Sequence, residues 1–265
     1  MNKKIIVIFG ISSGIGNHLF KNFSSYKNLE IIGFTSKREM VQKNVFFYQY
    51  GKVKVLKKIF NGLFKQKKKI HLIICNGTNG EVGRLEKIDL KNFISTFNIN
   101  FFSIVEILHN YLKIFKKQKK FVLLFSGGGA FSNFPKFDSY ACSKTALVRL
   151  VENLSAEYKS ELQINAIAPG FNFTRIQKDL LKNNSSKDIG SSYYKFVKKN
   201  KNKKNNFNKI ESFIYKTIFD RAYKLSGKTV SINFDKWDEV KFYKKINIIN
   251  KSDYMCLRRI NKKPF

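Results

Sequence analysis

Tyr140 and Lys144 stand four residues apart at the head of a stretch with helical periodicity. That spacing places both side chains on one helix face. An ammonium beside a phenol lowers the phenol's pKa, so the phenol can exchange a proton with a carbonyl oxygen near neutral pH. The spacing alone selects nothing, because Tyr48, Tyr50 and Tyr194 also have a lysine four positions on. Context separates them. Only Tyr140 follows an apolar run, a glycine-rich turn (Phe121–Ala130) and Pro135, and continues as Tyr-Ala-Cys-Ser-Lys into a helix. A second constellation, Gly10-Ile11-Ser12-Ser13-Gly14-Ile15-Gly16, joins the first apolar run to a helical one. Glycines at such a turn let the backbone approach a pyrophosphate, which rests on the N–H groups of the helix N-terminus. The spacing is G-x-x-x-G-x-G rather than G-x-G-x-x-G, and a purely structural Gly/Ser turn would look the same.

These residues need a scaffold, and the apolar pattern supplies one. Runs at Lys4–Phe9, Glu30–Phe34, Asn44–Tyr48, His71–Ile74, Lys120–Phe125, Gln163–Ile167 and Lys228–Asn233 read as strands. Helical stretches such as Phe93–Phe115 and Tyr140–Tyr158 lie between them. Continuous apolar strands alternating with helices predict an α/β fold, a doubly wound parallel sheet with helices on both faces. The segment Phe171–Asn208 breaks the alternation. It is polar, ends in the Lys/Asn run Lys198–Asn208, and reads as a mobile loop and a candidate substrate lid. The expected organisation is one domain over residues 1–235, with a C-terminal extension over 236–265, containing Trp237, packed on it.

Composition narrows the function classes. The chain has 265 residues, 43% hydrophobic, enough for a core without disulfides or metal. Cys75, Cys142 and Cys256 form no disulfide framework, and His18, His71 and His109 share no ligand spacing, so a reducing, cytoplasmic setting and no metal are expected. Two lysines ahead of Ile5–Phe9 imitate a secretory leader, but the apolar run is too short and breaks at Gly10. No run approaches the ~18 apolar residues of a membrane helix. The net charge of +33 comes from 51 basic residues, of which 44 are Lys and 7 Arg. Lysine without arginine gives sequence-blind attraction to phosphate, so no specific nucleic-acid partner is expected. Asn and Phe are also high, at 27 each, against 3 Pro, a joint bias that reads as drift in composition rather than a selected surface.

Further elements fall in a recognisable order. Cys75-Asn76-Gly77-Thr78 closes the fourth apolar run, and Asn98-Ile99-Asn100 lies in the following helix. A later run ends in Asn165-Ala166-Ile167-Ala168-Pro169-Gly170, with Thr174 just beyond. Together with the glycine turn and the Tyr140–Lys144 pair, this set resembles the short-chain dehydrogenase/reductase superfamily over nearly the whole chain. The resemblance implies a Rossmann-type domain that moves hydride between NAD(P)(H) and a small-molecule carbonyl/alcohol pair. It implies Tyr140 as general acid/base, Lys144 as the ribose-binding residue that tunes it, and Asn100 as the holder of a relay water. Gly10, Gly14 and Gly16 match the diphosphate turn with Ser12, Ser13 and Ile15, and Phe9 takes the usual Thr position. Asn76 and Gly77 border the cofactor, and Pro169, Gly170 and Thr174 match the nicotinamide-side segment. The resemblance further implies a homodimer or homotetramer.

One position departs from the family. The catalytic Ser position is Gly127, in Ser126-Gly127-Gly128-Gly129-Ala130. Either Ser126 or Ser132 takes over, a backbone N–H supplies the bond, or activity is weak. The alternative is a non-catalytic nucleotide-binding sensor or scaffold. The same turn, with the late Leu257-Arg258-Arg259-Ile260, is similar to a subgroup associated with surface-polysaccharide and nucleotide-sugar metabolism, which suggests a sugar-related substrate. At the second strand's end, Ser36, Lys37 and Arg38 precede any acid. NADP(H) is therefore expected over NAD(H).

Overall fold

In the computed structural model, which describes residues 4–66, 69–116, 118–220 and 222–258, β1 (Lys4–Phe9) is an interior strand of the sheet. Its Ile-Ile-Val-Ile-Phe run is buried on both faces, as a central parallel strand requires. The others are β2 (Leu29–Thr35), β3 (Val45–Phe47), β4 (Ile70–Ile74), β5 (Lys120–Phe125), β6 (Leu162–Ala168) and β7 (Lys228–Ser231). They pair in the order β3-β2-β1-β4-β5-β6-β7, and every pair is parallel. The expected doubly wound Rossmann-type sheet is therefore what the chain forms.

The helices are α1 (Gly14–Ser24), α2 (Lys54–Lys65), α3 (Leu90–Phe97), α4 (Ser103–Ile114), α5 (Asp138–Tyr158), α6 (Arg175–Asn183), α7 (Ser186–Ile189), α8 (Ser191–Asn200), α9 (Phe207–Phe219) and α10 (Val240–Lys251). Alternate residues of β1 enter opposite cores, because side chains in a strand alternate between faces. Ile6 and Ile8 pack with Leu19 and Phe23 of α1 and Phe213 of α9. Val7 and Phe9 pack with Leu56 and Phe60 of α2, Ile107 and Tyr111 of α4, and Leu147 of α5. Each such side chain contributes about 1.5–3 kcal/mol by leaving water. Trp237, Phe242, Ile246 and Ile249 join the first of these cores, and Trp237 Nε1 donates to the Ile232 carbonyl at 3.2 Å. The late aromatics thus pack against the sheet. Arg259 and Ile260 of the late motif, with the rest of 259–265 and residues 1–3, lie outside the described residues.

The segment read from sequence as a polar loop is helical instead. Lys198–Asn200 is the last turn of α8, and of the asparagines that follow, Asn202 and Asn208 are exposed while Asn205 and Asn206 are bonded. Asn205 Oδ1 accepts from Phe173 N at 2.7 Å, and Asn206 N donates to Asn172 Oδ1 at 2.9 Å. Asn206 Nδ2 also donates to the Pro169 carbonyl at 2.7 Å. Polarity here marks side chains that tie one connection to another. Among the described residues no helix is long and apolar enough to cross a membrane.

Candidate active site

The strand order reverses between β1 and β4, and in an open parallel sheet the ligand crevice lies beyond the carboxyl ends of the strands at that point. The turns after these two strands touch. Gly10 has φ +79°, and a Cβ there would stand 3.0 Å from the Asn76 N and Oδ1. A Cβ on Gly16 would overlap the Gly10 carbonyl, so only glycine lets α1 sit this close to the turn. Ser13, at the helix N-cap, accepts no bond from the first turn, which keeps its N–H groups available to a ligand. Across the crevice, Thr174 Cγ2 lies 3.3 Å from where a Gly14 Cβ would be.

One cavity of about 920 Å³ runs past these turns. Gly10, Ser12, Ser13, Gly14, Ile15, Gly16, Ser36, Asn76, Gly77, Ser126, Tyr140, Lys144, Pro169, Gly170 and Thr174 all line it. Lys37 and Arg38 do not. Lys37 pairs with Glu39 at 3.7 Å, and the Arg38 guanidinium stacks 4.5 Å from the Phe47 ring. Asn100 stands behind the wall, fully buried in a π-turn (Asn98–Phe102) between α3 and α4. Its Oδ1 accepts from Thr78 N at 2.8 Å, and its Nδ2 donates to the Thr78 carbonyl at 3.0 Å and to Ser143 Oγ at 3.0 Å. Ser143 Oγ in turn donates to the Tyr140 carbonyl at 2.8 Å, which links the Thr78 loop to α5. Lys144 Nζ donates to the Phe125 carbonyl at 2.9 Å, and a Gly77 Cβ would lie 3.4 Å from it.

A family model for short chain dehydrogenases matches residues 4–185, more than half of the chain. The chain belongs to that family. An uncharacterised oxidoreductase of Schizosaccharomyces pombe is 28% identical over 205 residues, which span 74% of this chain and 82% of that protein. A solved short-chain dehydrogenase/reductase of Saccharomyces cerevisiae shares the fold at a TM-score of 0.75 and 24% identity, covering 88% of this chain and 97% of that one. ElxO, solved with NADP bound, matches at a TM-score of 0.69 and 22% identity, covering 87% and 97%. This short-chain dehydrogenase is accordingly an oxidoreductase.

The electrostatics of the dehydrogenase site differ from the expectation in one respect. Burial pushes the Tyr140 phenol up to about 12, with Tyr193 adding to the effect, rather than Lys144 drawing it down. Burial likewise lowers the Lys144 ammonium to about 8, opposed by Cys75. Desolvation is the leading cause of both shifts.

The glycine turn also resolves. Gly127 has φ −162° and ψ 169°, ordinary extended backbone, so unusual dihedrals are not why glycine stands there. An added Cβ would overlap the Tyr140 hydroxyl, and that close approach is what glycine permits. Ser126 Oγ is buried at the cavity wall and has no hydrogen-bond partner among the described residues, while Ser132 Oγ is bonded to the Gly128 carbonyl at 3.1 Å. Sequence reasoning missed two parts of the lining. Phe34, Tyr48, Gln49 and Tyr50 line one part, and Phe134, Phe171, Tyr193 and Phe196 line another. The only available signal was the aromatic content of an otherwise polar segment.

Proposed function

We propose that this dehydrogenase interconverts a carbonyl and an alcohol at the expense of NAD(P)(H). The observation that carries the reading is the meeting of Tyr140, Lys144 and the Gly10–Gly16 turn on one cavity at the point where the strand order reverses. The residues present fit a dinucleotide: glycine at 10 and 16 lets the β1 turn, the β4 turn and α1 close up on one another, and the start of α1, where the Ser13 side chain makes no cap bond, suits a pyrophosphate. Gly10, Ser12, Ser13, Gly14, Ile15 and Gly16 would hold the pyrophosphate, with Asn76, Gly77, Pro169, Gly170 and Thr174 along the nicotinamide half. When bound, the nicotinamide supplies or accepts the hydride.

The chain's own residues handle the proton. Tyr140 gives its phenolic proton to the carbonyl oxygen, and the neighbouring Lys144 cation stabilises the phenolate left behind. Asn100 keeps a relay water beside Lys144 while its amide stays fixed by Thr78 and Ser143. Ser126 supplies a second donor to the substrate oxygen, because a buried hydroxyl without a partner is costly until something satisfies it. Gly127, the feature that would favour a non-catalytic nucleotide-binding protein, is accounted for by the room it leaves the Tyr140 hydroxyl.

Ser36 on the cavity wall, with Lys37 and Arg38 beside it and no acid before Glu39, favours NADP(H) over NAD(H). Residues 171–208 act as a substrate lid on a single domain, with 236–265 as an extension of it. The exposed Leu90, Ile94, Ile99 and Phe102 suit a homodimer or homotetramer in the cytoplasm. Oxidation of NADPH and NADH against a panel of carbonyls, including keto-sugars and nucleotide keto-sugars, tests the reading. Cofactor binding without turnover of any carbonyl would overturn it.

A further inference from the structure

The substrate side of the cavity has a consistent chemistry. Phe137 is fully buried and stacks on Phe134 at 4.3 Å between ring centroids. Tyr193 of α8 meets both edge-on, at 5.0 Å from Phe134 and 5.3 Å from Phe137. Phe134 in turn lies 6.1 Å from the Tyr140 ring. Phe196, one turn further along α8, sits 5.0 Å from Phe171. Phe134, Phe171, Tyr193 and Phe196 all line the cavity, so an aromatic wall extends from Tyr140 outward.

Charge is missing from the same wall. Among the described residues, Lys144 is the one basic side chain that lines the cavity, and no Asp or Glu lines it. The covering helices are basic, yet α6 turns Ile176 and Gln177 inward while Arg175 and Lys178 stay out of the lining. From α8, Tyr193 and Phe196 line it and Lys195, Lys198 and Lys199 do not. Lys144 Nζ sits at the Phe125 carbonyl and beside Gly77, and the proposed reaction already uses its charge at Tyr140. A phosphate or carboxylate on the substrate would lose its hydration here and find no free cation to compensate. A flat apolar ring would meet edge-to-face partners and lose only its hydrophobic hydration.

We infer that the substrate is a neutral carbonyl compound with an aryl group next to the reacting carbon, and that Tyr193 and Phe196 select it. This rests on the carbonyl-reducing reading above and narrows it away from phosphorylated or nucleotide-linked sugars. Tyr193 is the specificity residue nearest the chemistry, and its hydroxyl has no bonded partner among the described residues.

The test compares three ketones: 1-phenyl-1,2-propanedione, 2,3-butanedione (no ring) and phenylpyruvate (a ring with a carboxylate). Consumption of NADPH and NADH is followed for the wild type, Tyr193→Ala, Tyr193→Phe and Phe196→Ala. Calorimetric titration of the phenyl dione into wild-type protein with NADP+ reads binding without requiring turnover. The phenyl dione should exceed both comparison ketones in kcat/KM by about 10-fold or more, the scale set by aromatic contacts. Tyr193→Ala should raise its KM about 10-fold while leaving that of 2,3-butanedione in place, and Tyr193→Phe should retain the ring's effect. Phe196 is 45% exposed, so Phe196→Ala should disturb folding less than Tyr193→Ala and keeps the question open to measurement if that variant does not fold. Equal or better turnover of phenylpyruvate or 2,3-butanedione overturns the inference and leaves carbonyl reduction standing. Binding of the phenyl dione that depends on Tyr193 or Phe196, without any NAD(P)H consumption, supports the wall and removes the proposed reaction. Absence of both binding and turnover removes both.

Discussion

Gly127→Ser puts back the side chain that this family usually carries at the position, and the geometry predicts that it lowers activity. The backbone does not oppose serine, since φ −162° and ψ 169° suit any residue. Space does. An added Cβ overlaps the Tyr140 hydroxyl and stands 2.9 Å from Cζ and 3.3 Å from Cε1. Carbon atoms settle at about 3.5–4.0 Å, so the ring carbons have to retreat by roughly 0.5–1 Å and the overlapped hydroxyl by more than ~1 Å. Its backbone is fixed in α5, Phe134 lies beside it, and Tyr193 shares its cluster. Forced repacking of this kind costs about 1–3 kcal/mol. A displacement near ~1 Å of a reacting group can cost about 10²-fold in rate. Both Gly127→Ser and Gly127→Ala should therefore lose about 10²-fold in kcat on a confirmed carbonyl. Each should also melt lower, by about 2–4 °C per kcal/mol lost. A Gly127→Ser enzyme at or above wild-type kcat would show that Tyr140 yields without loss, and would refute the reasoning.

Further expectations can be measured directly. Tyr140→Phe should abolish turnover while fluorescence titration finds cofactor affinity nearly unchanged, and Ser126→Ala should lower kcat about 10-fold, short of the ~10²–10³ lost with a preorganised oxyanion donor. Because burial holds Lys144 at about 8, the kcat/KM–pH profile for reduction should fall as pH rises through that value; from there to the ordinary 10.5 the unfolded chain binds more protons, so the same group makes folding more favourable as pH rises. Asn100→Ala leaves the Thr78 N–H and carbonyl unsatisfied, which should lower the melting temperature in line with about 1–3 kcal/mol for each buried group left alone. Lys37→Glu combined with Arg38→Glu should weaken NADPH binding by about 10-fold or more while sparing NADH, as expected for lost charge-assisted bonds, and equal losses for both cofactors would remove the preference.

The fold was legible because its strands are buried on both faces. A continuous apolar run fills β1 and β5, where every residue from Ile5 or Phe121 onward is buried, so each strand marked itself. The glycine turn and the Tyr140–Lys144 pair were legible for a related reason: their chemistry is local, fixed by residues within a turn or two. What escaped depends on contacts between distant segments. Tyr193 reads as one more residue of a polar stretch until Phe134 and Phe137, far back in the chain, are seen against its ring. Asn205 and Asn206 look like part of a solvated lysine–asparagine run until their bonds to Phe173 N and the Pro169 carbonyl are known. Gly127 looked like a missing hydroxyl, because sequence shows which side chain is absent but not which atom fills the space.

The same distinction governs the charge. A total of +33 describes the whole chain, yet the site excludes nearly all of it. A lysine on an exposed helix face keeps its hydration and its flexible stem, so composition can drift there at little energetic cost. Inside the cavity an ammonium loses hydration, and only a position that returns bonds can keep one. Lys144 meets that condition through the Phe125 carbonyl, and its lowered pKa is the residue of the penalty. Desolvation therefore filters lysine at the cavity wall, which among the described residues carries Lys144 as its one cation beside aromatic rings. Net charge predicts what the outer surface attracts. The chemistry of the wall predicts what enters.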